Sequence, residues 1–390
     1  MQIIELTIHH FRNLHTIELQ PSSCNVFLGQ NGSGKTSLLE SIYLLSRGKS
    51  FRHHQPRHYI EHGFSDTTVF ARLNHEQTVA IAKSQDATTQ LRLNGQSLVT
   101  QSPLAQLLPT LLLEPVSLAQ LEDGSQARRE MLDWLGFHVE QSFHSNWLSY
   151  QRLLKQRNSL LKQNVGNVSL TSLQQQELSA WDYQLSQHAE KIHQARADII
   201  EQWQPHFLAQ VQKFLPQYAE KLRLRYTPGF DTEAGLAITL ANRLASDIEL
   251  GYTRMGCHRA DINVVLDLVH TDAAGHKHKQ TLLATDMLSR GEKKLLVMAL
   301  RLSQLPLLNQ VDKVPLVLVD DITAELDNDA LMLLLTGLKQ VNSQLFITSL
   351  TQDIVESIQK IWQDNIKLFH VEQGSVRQLS LEAQGIQNDL

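Results

Sequence analysis

The chain has 390 residues, enough for two or three domains and a sizeable core. It is 42% hydrophobic and 19% charged with a formal net charge of -5, which describes a folded globular protein and excludes an overall basic one, so any polyanion site must be a local patch. Two cysteines, Cys24 and Cys257, are too few for a disulfide framework or a thiolate zinc site and suit a reducing cytoplasm.

No apolar run approaches a membrane span. The first residues lack the basic and apolar regions of a signal peptide, so a cytoplasmic protein without membrane contact is expected. Eighteen histidines make metal sites worth checking. The clusters His53, His54, His58 and His270, His276, His278 match no ligand spacing and read as surface loops.

In chain order, residues 2–9 and 16–19 predict two strands joined through Phe11-Arg12-Asn13-Leu14. Arg12 in that turn would either meet a nucleotide or remain solvated. Val26-Phe27-Leu28 predicts a buried strand. It runs into Gly29-Gln30-Asn31-Gly32-Ser33-Gly34-Lys35-Thr36, the Gly-x-x-x-x-Gly-Lys-Thr of a phosphate-binding loop. A helix over residues 37–45 follows, so the motif has the strand–loop–helix setting it needs. The loop's N–H groups and the helix's positive end would cradle an anion. Lys35 would reach the β- and γ-phosphates of ATP, and Thr36 would hold Mg²⁺.

Residues 47–59 carry Arg47, Lys49, Arg52 and Arg57 without an acid, interleaved with Phe51 and Tyr59, which would form either a patch that grips phosphates or a solvated basic loop. Short runs at 67–73 and 78–82, with the turn signal Asn94-Gly95, predict a small antiparallel sheet. From 126 to 245 strand signals are few. Residues 147–161 and 173–203 have helical periodicity and predict an inserted hairpin joined through 165–171, with Pro205 ending or kinking the second helix. Arg152, Lys155, Arg157 and Lys162 on the first helix would form either a DNA-tracking face or a solvated one.

Strand signals return from 248. Ser289 and Glu292 in Leu288-Ser289-Arg290-Gly291-Glu292 form a capping box, and such a helix start can also receive an anion. The run 314–321 ends in Asp320 and Asp321, as does the buried strand whose tip meets Mg²⁺ in phosphate-loop ATPases. Asp320 would bind the metal and Asp321 would polarise water. Ala324-Glu325-Leu326-Asp327 enters another helix, and 344–349 is a further buried strand.

Taken in this order, the pieces resemble the ATP-binding-cassette head of chromosome-maintenance proteins, and more closely the RecF family of bacterial recombination mediators. Phe11–Leu14, Gly29–Ser37, Gly48–Arg52, Arg128–Trp134, Arg152–Asn158, His258–Asp261, Leu288–Gly291 and Glu325–Asp327 look like that family's motifs and span nearly the whole chain. The resemblance implies an α/β head of mixed sheet and antiparallel lobe, made from residues 1–125 and 246–390, with a helical arm at 126–245. It implies an ATP-bound homodimer whose γ-phosphates lie between Lys35 of one copy and Ser289 of the other, with Arg12 and Asn13 beside the nucleotide.

The resemblance further implies binding to single-strand/duplex DNA junctions, RecO and RecR as partners in loading the recombinase, and slow hydrolysis acting as a switch. Two departures stand out. Glu114-Pro115-Val116-Ser117 replaces a common Ser-Pro-Glu-Asp, and Glu292 replaces a common Gln. The alternative is a transporter's nucleotide-binding subunit or another phosphate-loop ATPase, against which the insert of about 120 residues is too long for a usual cassette.

Overall fold

The computed structural model describes residues 1–114, 118–166, 170–271, 276–322, 326–362 and 365–380. The chain opens with β1 (Ile3–Phe11), β2 (Leu14–Leu19), β3 (Cys24–Leu28) and α1 (Lys35–Arg47). Then come β4 (Asp66–Leu73), β5 (Thr78–Ser84), β6 (Thr89–Leu93), β7 (Gln96–Leu98), α2 (Ser102–Leu107) and β8 (Thr110–Leu113). Helices α3 (Ala119–Glu122), α4 (Ser125–Val139), α5 (Phe143–Gln163) and α6 (Ser172–Phe214) lead to β9 (Leu222–Thr227) and α7 (Leu236–Leu250). Next are β10 (Asp261–Thr271), β11 (Lys277–Leu283), α8 (Ala284–Met287) and α9 (Arg290–Asn309). The chain closes with β12 (Leu316–Val319), α10 (Asn328–Gln340), β13 (Gln344–Ser349), α11 (Asp353–Trp362), β14 (Ile366–Glu372) and β15 (Ser375–Leu379).

Two compact units result, one of Met1–Ser117 with Leu308–Leu390, the other Leu118–Leu307. In the first unit an antiparallel sheet has the order β2-β1-β4-β5-β6-β7, and a second sheet has the order β15-β14-β3-β13-β12-β8. The strands from β14 to β8 run parallel. Strands β3, β12 and β13 are buried at every position, the pattern of parallel strands covered on both faces. Helix α1 is apolar on most sides. Its Leu38, Leu39, Ile42 and Leu45 join Ile8 and Val69 of one sheet and Phe27, Leu318 and Phe346 of the other in one core. At the β6–β7 hairpin Asn94 and Gly95 both have positive φ, 51° and 77°, as the turn signal requires.

In the second unit α5 and α6 pack through Phe143, Tyr150 and Leu154 against Leu185, Ala189 and Ile192. The expected hairpin is present, with residues 167–169 of its connection outside the described residues. The expectation at Pro205 needs correction as to an end: α6 runs 43 residues, through Pro205, to Phe214. At 1.5 Å per residue that is about 64 Å. Trp203, Phe207, Val211 and Phe214 are buried around the proline, and Trp203 donates from Nε1 to Ser303 Oγ at 2.7 Å. This burial offsets the missing N–H.

A strand, β9, lies where few strand signals were read. It pairs antiparallel with β10, which pairs with β11. That sheet draws 246–307 into the helical unit, so the compact units part company with a division at residue 246.

Candidate nucleotide site

Strand β3 delivers the loop from between β13 and β14. Gly34 precedes α1 with φ 117°, a conformation side-chain-bearing residues rarely adopt, and this lets the helix start directly under the loop. The Lys35 ammonium folds back and donates to the carbonyls of Gly29 at 2.6 Å and Gln30 at 2.9 Å. Burial lowers its pKa, against the raising influence of Asp321 and Asp320.

The metal-binding expectation joins two residues far apart in sequence. Thr36 Oγ1 donates to Asp320 Oδ1 at 3.0 Å, and Thr348 Oγ1 donates to the same oxygen at 2.9 Å. Arg52 donates to Asp320 Oδ2 at 3.3 Å. Asp321 sits at φ 51°, its N–H donating to Thr348 Oγ1 at 2.8 Å. Its Oδ1 is buried without a partner. Burial, and then the charge of Asp320, raise the Asp321 pKa, with Lys35 opposing. Asn31, Gly32, Lys35, Thr36, Arg52, Asp320 and Asp321 line a cleft of about 130 Å³. Gln30, Gly32 and Ser33 also border a second cavity of about 430 Å³ with His370, Glu372 and Arg377.

Arg12 and Asn13 adjoin the loop differently. Asn13 donates to Gly32 O at 3.3 Å and accepts from Ser37 Oγ at 2.9 Å. Arg12, at φ 55°, is paired with buried Glu40 of α1 through Nη2 at 2.9 Å, and Ser50 donates to the same carboxylate. Neither Arg12 nor Asn13 lines the cleft. Glu40 escaped sequence reasoning because a single acid on an apolar helix carries no spacing signal. Of the basic patch, Arg52 enters the cleft, while Lys49, Arg57, His53, His54 and His58 are exposed.

Ser289 belongs to the second unit, where it caps α9. Its N–H and Oγ each donate to Glu292 Oε2 at 2.8 Å, and Glu292 N–H donates back to Ser289 Oγ at 3.3 Å. Glutamate therefore completes the box as expected. Residues 115–117 and Glu325 lie outside the described residues; Asp327 caps α10 by accepting from Ala330 N–H.

Three other motifs turn out to brace the second unit. Arg128 grips Asp261 with two bonds of 2.9 Å. Tyr150 O–H meets His258 Nδ1 at 2.8 Å. Arg157 is fully buried between Asp182 at 2.7 Å and Asp247 at 2.8 Å. A DNA-tracking face that includes Arg157 is therefore corrected: its charge is spent inside the protein. Arg152, Lys155 and Lys162 are exposed.

A loop between parallel strands, a lysine over it, and a threonine meeting a strand-end aspartate define a phosphate-loop nucleotide-binding protein with an ATP-binding-cassette head. The family model described as the RecF/RecN/SMC N terminal domain matches residues 2–377. The chain is 41% identical over 379 residues to the DNA replication and repair protein RecF of Acinetobacter baumannii, covering 96% of this chain and 99% of that one. It belongs to the RecF family. In fold it is similar to a solved RecF–ATP structure of the RecFOR pathway, with a TM-score of 0.78 at 23% identity over 97% of each chain. It is also similar to an Smc head bound to a ScpA domain, with a TM-score of 0.57 at 16% identity over 98% of each chain.

Proposed function

We propose that the protein is an ATP-controlled DNA-binding protein of replication and recombinational repair. The observation that carries this is the meeting of Lys35, Thr36, Asp320 and Asp321 at one cleft, in a chain of RecF lineage. The relative's name supplies replication and repair; the RecF–ATP structure supplies the nucleotide.

The cleft residues fit Mg²⁺. A threonine hydroxyl and a carboxylate already adjoin, and Asp321 keeps a buried oxygen unpartnered. A bound Mg²⁺ would offset negative charge on the phosphates. Lys35 would exchange the carbonyls of Gly29 and Gln30 for phosphate oxygens, and Arg52 would be freed from Asp320. Asp321, with its raised pKa, is suited to accept a proton from an attacking water.

Family membership supports the rest. Residues 1–125 and 246–390 act as the head, and 126–245 as the arm. ATP joins two copies, Ser289 of one facing the phosphates held by the other. The dimer grips single-strand/duplex junctions in the cytoplasm, works with RecO and RecR to load the recombinase, and lets go after slow hydrolysis.

The test is fluorescence anisotropy of gapped DNA with ATP, ADP or neither. Binding should tighten with ATP, and both Lys35→Met and Ser289→Arg should abolish that tightening. If binding ignores nucleotide in all three proteins, the switch is wrong even though the fold stands.

A further inference from the structure

Among the described residues, one group of histidine and acidic side chains brings three ligand atoms within 4.8 Å of one another: His10, His15 and Glu61. It is neither of the histidine clusters visible in the sequence. Strand register creates it. Phe11 pairs with Leu14 and His9 with Thr16, so His10 and His15 face each other across β1 and β2. Glu61 arrives on a segment that pairs with the same strand. Arg12 N–H donates to Tyr59 O at 2.8 Å, and Glu61 N–H donates to His10 O at 2.9 Å.

Both imidazoles point Nδ1 at one carboxylate oxygen, Glu61 Oε2, at 2.9 Å from His10 and 3.0 Å from His15. Separations of that size suit donors sharing one ion, each about 2.0–2.2 Å from it. The His10 ring is held by stacking on Phe64, with centroids 3.7 Å apart and planes at 13°. Each ligand thus hangs from pinned backbone or a packed ring, the support that metal ligands need. His15 is 64% exposed on its side chain, which leaves the group an opening for solvent and for an ion's entry.

We propose that His10, His15 and Glu61 bind a divalent transition-metal cation of the Zn²⁺ type, with water completing the coordination. Two imidazole nitrogens and one carboxylate select such an ion over Mg²⁺, which prefers oxygen donors. The bound cation replaces the Nδ1 protons that hold the group together without it. The site is separate from the Thr36–Asp320 pair. It lies two residues from Arg12 on one strand and two from Asn13 on the other, so the ion ties together both strands of the hairpin whose turn touches the phosphate loop.

Chelator-stripped full-length protein is titrated with Zn²⁺ alone, without nucleotide, by calorimetry. The variants are His15→Ala, Glu61→Gln and, as a remote control, His53→Ala. The expected result is one equivalent of Zn²⁺ bound by wild type and the control, with affinity lowered more than about tenfold in each of the other two. His15 is exposed and Gln keeps the size of Glu, so both variants should keep the wild-type melting temperature in chelator. Zn²⁺ should then raise that temperature in wild type and not in His15→Ala. Equal affinity in wild type, His15→Ala and Glu61→Gln, or loss of binding in His53→Ala alone, overturns the site. So does the absence of Zn²⁺ binding to wild type.

Discussion

Glu40 is fully buried on α1, and the turn at Arg12 is built against it. Arg12 and Ser50 both spend their donors on its carboxylate. Removing one member of such a pair strands the other, at about 3–5 kcal/mol. Glu40→Ala should therefore lower unfolding free energy by about 3 kcal/mol or more in urea. Adding Arg12→Met should cost much less than the sum of the two single changes, because no charge is then left unpaired.

His258 gives a pH signature. Its Nε2 faces Thr253 O at 3.1 Å, so that nitrogen carries the proton and Nδ1 accepts from Tyr150. Burial is the main cause that lowers its pKa to about 4. Unfolded, the ring returns to about 6.5 and binds the proton more readily, so the stability it lends is full above pH 6.5 and is lost as pH falls towards 4. Denaturant unfolding followed over that range should show the loss, on the order of 3 kcal/mol, and His258→Gln should flatten it.

At the scale of elements, Pro205 is exposed in the C-terminal part of α6 and withholds one helical hydrogen bond. Pro205→Ala should stabilise the protein, by up to about 3 kcal/mol, with a higher melting temperature as the readout. A lower one would mean that packing around Trp203 and Phe207 depends on the proline. Strands β3, β12 and β13 were legible because continuous apolar runs, glycines and terminal acids each have a local physical cause. The meeting of Lys35, Thr36 and Asp320 at one cleft was legible for the same reason.

What stayed hidden depends on partners distant in sequence. Arg157 looks like its exposed neighbours until Asp182 and Asp247 fold onto it. Strand β9 alternates as Leu222-Arg223-Leu224-Arg225, yet it is short and follows a long helix, so only its pairing with β10 reveals its role. Pro205 does not end α6 because tertiary burial outweighs a local cost.

On the scale of the whole molecule, the two ends of the chain close on the same loop. Gly374 N–H, in the turn between β14 and β15, donates to Ser33 O at 2.8 Å. A Cβ at Gly374 would lie 1.9 Å from Asn13 O, and φ there is 79°. Gly374→Val should push that turn off the loop and weaken binding of a fluorescent ATP analogue by tenfold or more, while leaving the circular dichroism spectrum unchanged. Unaltered affinity would show that the loop holds its shape without the C-terminal hairpin.

The order of β15-β14-β3-β13-β12-β8 also sets a clock. Strand β3 ends at residue 28, but the strands that flank it in the sheet, β13 and β14, begin at residues 344 and 366. At about 5–20 residues per second, a ribosome needs roughly 15–60 s to supply the first of them. For that time an apolar strand waits without its sheet partners, as a chaperone's client would, and a nascent chain cut short before residue 344 should fail to bind a fluorescent ATP analogue even with its phosphate loop intact.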